Sequence, residues 1–449
     1  MLKNESPNET QWWAQGDTPV HYRDSRVSYY LDGRSALFAL CCTLLQARSS
    51  VYLANWGMTA NLELVRGKEH RAGADGSSEQ EALLTLLRAE GLQEQDILFW
   101  KTHQLTVKEV LGYAVSQGAD VKVLLWNSLP LPAYSHYSPR LTCNALHEVG
   151  VTCLLDNSAR GILHHPAESL HQKLSVIDNT WAFVGGIDPM VEKNHDFDRW
   201  DTSAHPFKTD LRQTEAGTTP HPWHDAHALI EGPAVADVAY NFRQRWNAVM
   251  KRYEHWQIVP KRRHFYQQAW VEPQAAPPPV EGTEVVQIAR TIPKRTYHFQ
   301  PLVVQGIAQL YMQAIRNAHH FIHLENQYLW VRAYTGLDIS FLGRDNPEME
   351  QVIRELIAAL QRGVSVTLVL PDHPAPGRAF SDASIKRIRE EVPEAVEEGR
   401  FRAFCLATSM SQADGEKYRP IYVHAKVAII DDLWVTVGSA NLNNRGLRD

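Results

Sequence analysis

HQKLSVID at residues 171–178 and HAKVAIID at residues 424–431 share one order of residues: His, one position, Lys, four positions, Asp. Each closes on an aliphatic run that reads as a buried strand. Working outward, the surroundings repeat as well. In the first half an apolar strand at residues 51–56 (VYLANW) leads to a helical stretch ending at Gly118 and a strand at residues 121–126 (VKVLLW). In the second, residues 321–328 (FIHLENQY) lead to an amphipathic helix with Val352, Leu356 and Leu360 at helical spacing, then Gly363 and a strand at residues 364–370. Gly118 precedes His171 by 53 positions and Gly363 precedes His424 by 61, so the register survives with modest insertions. A duplication on that scale decides architecture before local detail does.

Each glycine stands where a helix C-cap is wanted before a buried strand, and helices alternating with apolar strands predict α/β layering. After the first motif come a strand and a helix with Val235, Val238, Ala239, Phe242, Trp246 and Val249 on one face. The segment VEPQAAPPPVEGTE at residues 271–284 carries Pro277, Pro278 and Pro279 and reads as an extended linker. These features predict a bilobal α/β protein: residues 1–280 as a half with the first motif, and residues 281–449 as a half with the second. Only 25 residues follow His424, whereas the first half runs about 80 residues past His171, so the second half reads as a shortened copy ending at Asp449.

Composition narrows the function. Of 449 residues, 44% are hydrophobic and 21% charged, which excludes wholesale disorder, collagen and coiled coil. The charge sum, 45 basic against 51 acidic residues, is −6 and shows no basic run, so nucleic acid is not favoured as a partner. Cys41, Cys42, Cys143, Cys153 and Cys405 are odd in number and contain no CxxC pair, which predicts reduced thiols; Cys41 and Cys42 read as buried and inert. The polar start MLKNESPNETQWWAQGD shows no cleavable signal, and the longest apolar stretch, residues 36–45, is about half a membrane span. Any membrane contact is therefore read as peripheral. Trp12, Trp13 and Trp330 read mainly as packing residues, and the loop LPLPAYSHYSPR, residues 129–140, as the candidate lid or lipid contact.

Alternate residues of a strand face one way, so His171 with Lys173, and His424 with Lys426, can be presented in pairs. At the same distance beyond Asp178 and Asp431 comes a turn of small residues: Gly185-Gly186-Ile187-Asp188 in one half, Gly438-Ser439-Ala440-Asn441 in the other. Small residues let backbone or phosphate approach closely. A phosphodiester needs a nucleophile, an acid for the leaving alkoxide and cations for the phosphoryl oxygens. Two histidines, one neutral and one protonated, supply the first two, and two lysines supply the charge without a metal ion. A metal-dependent alternative comes from His221, His224 and His227, spaced HxxHxxH with Asp225, and from His164 and His165. Pro222 argues against the regular helix that would align the first three.

On these residues the chain resembles the phospholipase D superfamily, with two HKD motifs of the eukaryotic-like type. The resemblance covers most of residues 34–449 and extends to GGID followed by Arg199-Trp200-Asp201-Thr202, to PWHDAHALIEGPA, to NFRQRWN and to HLENQY. It implies two tandem α/β/α sandwich halves about a pseudo-twofold axis with one active site at their interface. It implies that His171 attacks phosphorus to give a phosphohistidine, that His424 protonates the head-group alcohol and then activates water, and that Lys173, Lys426, Ser439 and Asn441 hold the phosphoryl oxygens. Asp225 matches the carboxylate that orients the second-motif histidine, and Asp449 is the best match for the partner of His171. Asp178 and Asp431 are implied to brace backbone. Gly186 and Asp188 stand where other members carry Ser and Asn, and Asp188 is read as bonding backbone or Arg199.

The implied activity is head-group hydrolysis of glycerophospholipids to phosphatidate and a free alcohol, without metal or other cofactor, by a monomer acting at a phospholipid surface. Transfer to another alcohol is a second outcome. The alternatives are a cardiolipin-synthase-like phosphatidyltransferase, which uses the same site, and a metal-dependent phosphodiesterase or a non-catalytic lipid-binding relative. A cytoplasmic or peripheral membrane location follows, and export as a bacterial toxin is compatible with the same sequence.

Overall fold

The structure, a computed structural model, describes residues 12–67, 78–127, 137–156, 171–191, 197–201, 205–213, 220–256, 270–293, 296–297, 302–333, 344–372 and 377–448. Asp449, His164, His165, Thr202 and most of the candidate lid (residues 129–136) lie outside them. No helix among the described residues is long and apolar enough to cross a membrane.

The chain forms two compact units interleaved in sequence rather than divided at one point. One is Arg23–Glu284 with Thr408–Arg419; the other is Met1–Tyr22, Val285–Ala407 and Pro420–Asp449. Backbone pairing explains the first crossover: strand Val20–Tyr22 pairs antiparallel with Val285–Gln287 just after the proline-rich linker. In the second, Arg419 at the end of Thr408–Arg419 donates to the carbonyls of Phe207 and Pro220.

The first-motif unit is built on a seven-stranded sheet ordered Arg26–Leu31, Ala226–Glu231, Trp181–Gly185, Lys173–Ile177, Ser50–Asn55, Asp120–Trp126, Thr152–Asp156. The last three are mutually parallel, as helix-linked strands are, and the others antiparallel. Ser50–Asn55 and Lys173–Ile177 are buried along their whole length. Val51 and Leu53 point into a core shared with helices Asp32–Leu45 and Val107–Ser116. Tyr52, on the opposite face, stacks on Phe242 of helix Val235–Trp256 at 5.1 Å between centroids. Helices thus cover both faces, and burial on both sides is why these strands read as continuous apolar runs.

The second-motif unit repeats five of these strands in the same order: Trp434–Val437, Val427–Ile430, Phe321–Glu325, Ser365–Val369, Phe401–Phe404. Parallel and antiparallel pairings also correspond. Ile322, Leu324, Val366, Leu368, Ala428 and Ile430 pack with helices Gly306–Arg316 and Pro347–Gln361 into one core. The other face is more open: Phe321, His323 and Glu325 are half-buried, and Val435 and Phe404 are exposed.

The cysteine reading is corrected in one respect. Cys143, on helix Pro139–His147, and Cys153, on strand Thr152–Asp156, form a disulfide with their Cα atoms 5.2 Å apart. The helix turns back directly onto the edge strand, so two cysteines without a motif spacing meet. Cys41 and Cys42 are buried, and burial pushes the Cys42 thiol well above the ordinary range. Trp330 is buried, while Trp12 and Trp13 are half-buried against the second core.

Candidate active site

His171, and both His424 and Lys426, sit just ahead of their strands, while Lys173 opens its own. Lys173 is the first residue of Lys173–Ile177, with His171 and Gln172 immediately before it. Residues 424–426 fall between strands Gly415–Val423 and Val427–Ile430.

In the first-motif unit Lys173 Nζ lies 3.1 Å from His171 Nε2 and 3.1 Å from Asp188 Oδ2. Asp188 is itself fixed by Asn55 Nδ2 and the Gly57 backbone N–H, both donating to Oδ1 at 3.2 Å. Asn55 stands directly opposite Lys173 in the sheet register, so the pleat delivers both to one place. Trp56 walls this cluster, with its ring centroid 5.7 Å from both the His171 ring and the Lys173 ammonium, and stacks on Trp126 at 5.5 Å. Burial pulls the Lys173 pKa below its ordinary value, against the opposing charge of Asp188. The carboxylate at 188 therefore acts on lysine, and the repulsion it would exert on a phosphate is offset by that pairing.

Behind the motif, Gln172 exchanges hydrogen bonds with Asn241 (3.4 and 3.1 Å), and Arg245 donates to Gln172 Oε1 at 2.5 Å and to Asp156 Oδ2 at 3.1 Å. Asn241 and Arg245 are one turn apart on helix Val235–Trp256. Their polar, i to i+4 spacing within NFRQRWN was the sequence signal for this role.

Asp225 is fully buried and accepts from Trp223 Nε1 (3.2 Å) and the Ala226 N–H (2.9 Å). The Gly186 N–H donates to the Ala226 carbonyl at 2.9 Å. A Cβ at Gly186 would stand 1.9 Å from Asp225 Oδ1, and one at Gly185 would stand 2.4 Å from His227 Nδ1. The two glycines are thus imposed by the carboxylate and imidazole behind them. Burial drives the His227 pKa down to about 4, so the ring is neutral.

In the second-motif unit His424 and Lys426 are buried, and Lys426 Nζ donates to the His424 carbonyl and to Gln327 Oε1 at 3.4 Å. Gln327 in turn donates to the hydroxyls of Tyr422 (2.8 Å) and Tyr328 (3.0 Å), so HLENQY supplies the lysine's support. Asn326 Oδ1 accepts from the Tyr328 and Leu442 N–H groups. The Gly438 N–H donates to the Lys426 carbonyl at 3.2 Å, which holds the GSAN turn beside the motif. Ser439 and Asn441 are half-buried, and Asn441 Oδ1 has no hydrogen-bond partner among the described residues.

The two motif aspartates do the same work in each unit. Asp178 accepts from the backbone N–H groups of Arg48, Ser49 and Ser50. Asp431 accepts from those of His319, His320 and Phe321. Each residue has positive φ, +50° and +54°, and each carboxylate pins the start of a neighbouring strand.

The three histidines of HxxHxxH do not converge. His221 accepts from Arg419 Nε at 3.4 Å and its ring lies 5.6 Å from that of Phe197. His227 Nδ1 accepts from the Ile187 N–H at 3.4 Å, and His224 Nδ1 pairs with Asp32 Oδ1 at 2.8 Å. Asp225 backs the Gly186 turn instead of joining them.

Two α/β units, each carrying a paired His and Lys at the start of a central strand and a braced motif aspartate, define the phospholipase D class, and the chain belongs to that family. Residues 43–341 match the family described as Phospholipase D, and residues 311–449 match Cardiolipin synthase, PLD-like domain. Among curated relatives, phospholipase D alpha 1 of Zea mays is 24% identical over 444 residues, spanning 76% of this chain and 53% of that protein. Phospholipase D beta 2 of Arabidopsis thaliana is 26% identical over 502 residues, spanning 90% of this chain and 51% of that protein. The chain spans about half the length of these relatives. Of solved structures, phosphatidylserine synthase from Haemophilus influenzae Rd KW20 aligns over 98% of this chain and 83% of that one with TM-score 0.49 and 12% identity, a likeness too distant to bear on activity.

Proposed function

We propose that this chain catalyses phospholipase D chemistry, hydrolysing the head-group-side phosphodiester of glycerophospholipids to phosphatidate and a free alcohol. The observation that carries the reading is the Lys173 ammonium 3.1 Å from His171 Nε2, in a family member with a second buried His and Lys at 424 and 426. In this reading Nε2 of His171 forms a bond to phosphorus as the bond to the head-group oxygen breaks, and His424 gives that oxygen its proton. Water, deprotonated by His424, then breaks the phosphorus–nitrogen bond. Lys173, Lys426, Ser439 and Asn441 hold the non-bridging oxygens, Asp225 orients His424 and Asp449 serves His171. No metal ion enters the chemistry. The substrate is met at a phospholipid surface by a monomer bound peripherally, in the cytoplasm or after export.

Head-group release from a panel of phospholipid vesicles tests this. The wild-type chain releases choline or ethanolamine, chelator leaves release in place, and His171→Ala or His424→Ala abolishes it; substantial turnover in either variant sinks the mechanism. A second reading, transfer of the phosphatidyl group to an alcohol, is favoured by the match of residues 311–449 to Cardiolipin synthase, PLD-like domain. Product analysis with phosphatidylglycerol as sole substrate separates the two, since a transferase yields a diphosphatidyl product and glycerol.

A further inference from the structure

Val51, Tyr52, Leu53 and Ala54 are what a strand buried on both faces wants, and Asn55, which follows them, is not. Asparagine is depleted from strands, yet this one is only 3% exposed at the end of an interior strand, directly opposite Lys173. Its amide can face a carboxylate only with Nδ2, which donates to Asp188 Oδ1 at 3.2 Å. That turns Oδ1 away, buried and without a hydrogen bond among the described residues. An unpartnered buried acceptor costs stability, and an aliphatic residue would remove that cost. A residue that breaks the rules of its own strand is expected where function requires it. We propose that Asn55 is a positioning residue: it locks the Asp188 carboxylate against the Lys173 ammonium and so keeps that ammonium beside His171.

The geometry is a relay. Asp188 Oδ1 accepts from Asn55 Nδ2 and from the Gly57 N–H, both at 3.2 Å, and two donors on one oxygen fix the plane of the carboxylate. Its other oxygen, Oδ2, is thereby aimed at Lys173 Nζ, 3.1 Å away, and Nζ stands 3.1 Å from His171 Nε2 with the Trp56 ring closing one side. Without the amide, Gly57 alone holds Oδ1 and the carboxylate is free to turn about its Cβ–Cγ bond. The second unit uses the same register differently. Glu325 pairs with Val427, so Asn326, one residue on, is the counterpart of Asn55 beside Lys426. There Oδ1 accepts from the Tyr328 and Leu442 N–H groups, and Asn441 stands at the position of Asp188. The amide-to-carboxylate lock belongs to the first motif.

The role rests on the proposed reaction, in which Lys173 holds a phosphoryl oxygen and must carry its proton although it is buried. Burial pulls its pKa down and Arg199 adds to that, while Asp188 and then Asp225 oppose them. Of the other groups around it, His227 is neutral, with its pKa driven to about 4 by burial. Tyr137 beyond Asp188 is neutral too, its hydroxyl pushed well up by burial and by that carboxylate. Asp188 is thus the counter-charge in contact with the ammonium, and Asn55 decides whether it stays there.

The test compares Asn55→Leu, Asp188→Asn and the double variant in the full chain. In head-group release Asn55→Leu should lower kcat by about 10- to 100-fold with KM little changed, while the thermal midpoint stays near that of the wild type. Because Asn55 acts through Asp188, adding Asn55→Leu to Asp188→Asn should lower turnover no further. A second readout needs no turnover: the Cε resonance of Lys173 in protein labelled with 13C-lysine, assigned by its loss in Lys173→Arg and followed from about pH 6 to about pH 11. Asp188→Asn should lower its midpoint by about 1–3 units, Asn55→Leu by less, and the double variant by no more than Asp188→Asn. Asn55→Ser keeps a donor and should fall between wild type and Asn55→Leu in both readouts; it takes the place of Asn55→Leu if the leucine variant does not fold. Undiminished turnover in folded Asn55→Leu, a Lys173 midpoint equal to that of the wild type, or full additivity with Asp188→Asn overturns the proposal. A wild-type chain that releases no head group overturns the phospholipase D reading alone, and the lysine titration still decides the role of Asn55.

Discussion

A Cβ at residue 186 would stand 1.9 Å from Asp225 Oδ1, so the glycine that departs from the superfamily's serine is a packing requirement of this chain. Gly186→Ser must push the carboxylate aside or shift the turn. Overpacking of this kind costs about 1–3 kcal/mol, and under the proposed mechanism, in which Asp225 orients a catalytic histidine, its displacement by an ångström lowers turnover by about 100-fold. Thermal denaturation and head-group release should both register the change; a serine accepted without loss in either would show that Asp225 is free to move. Two residues beyond Asp225, His227 offers a pH signature. Its folded pKa, about 4, lies below the ordinary 6.5, because burial disfavours the imidazolium. Above pH 6.5 both folded and unfolded chains hold it neutral and it contributes nothing. As pH falls through that value the unfolded chain takes up a proton first, so stability drops by about 1.4 kcal/mol per unit until the folded pKa is passed. Urea unfolding between pH 7 and pH 4 should show this loss, and His227→Phe should flatten the slope within that window.

At the scale of elements, the motif strand is held from behind by one helix. Val235–Trp256 presents Phe242 to the sheet through Tyr52, while Asn241 and Arg245 on the same helix reach Gln172 between the two motif residues. Arg245 also pairs with buried Asp156 at the end of the edge strand, so it ties that strand to the motif. Arg245→Met keeps the volume but leaves a buried carboxylate without its cation, a loss of about 3–5 kcal/mol. The folded fraction of this variant should also turn over more slowly, because the backbone carrying His171 loses a support. Arg245→Lys should restore part of the stability through Asp156 but not both contacts, since the compact ammonium cannot reproduce the guanidinium fork. Equal stability of the methionine variant and the wild type in urea would refute this account.

At the scale of the molecule, what was legible in the sequence is what is local or repeated. The HxK spacing, the strands flanking Gly118 and Gly363, and the helix bearing Phe242 and Trp246 follow from periodicity, because helix and strand each impress their own period on the chain. What was not legible depends on which distant segments return to one place. Cys143 meets Cys153 because a helix folds back on an edge strand, and Asp32 meets His205 and His224 across about 170–190 positions of chain. Neither meeting leaves a spacing signal. The repeat also concealed an asymmetry that separates the units. Trp181–Gly185 lies inside the seven-stranded sheet, flanked by Lys173–Ile177 and Ala226–Glu231, whereas its counterpart Trp434–Val437 is, among the described residues, an edge strand paired with Val427–Ile430 alone. An edge strand leaves half of its backbone groups without ladder partners and opens at lower free energy than an interior one. Amide hydrogen exchange followed by mass spectrometry should therefore find residues 434–437 exchanging well before residues 181–185 in the same protein sample. Equal protection of the two would mean that the outer edge of Trp434–Val437 is covered in solution, and that the two sheets are closer in stability than their strand counts imply.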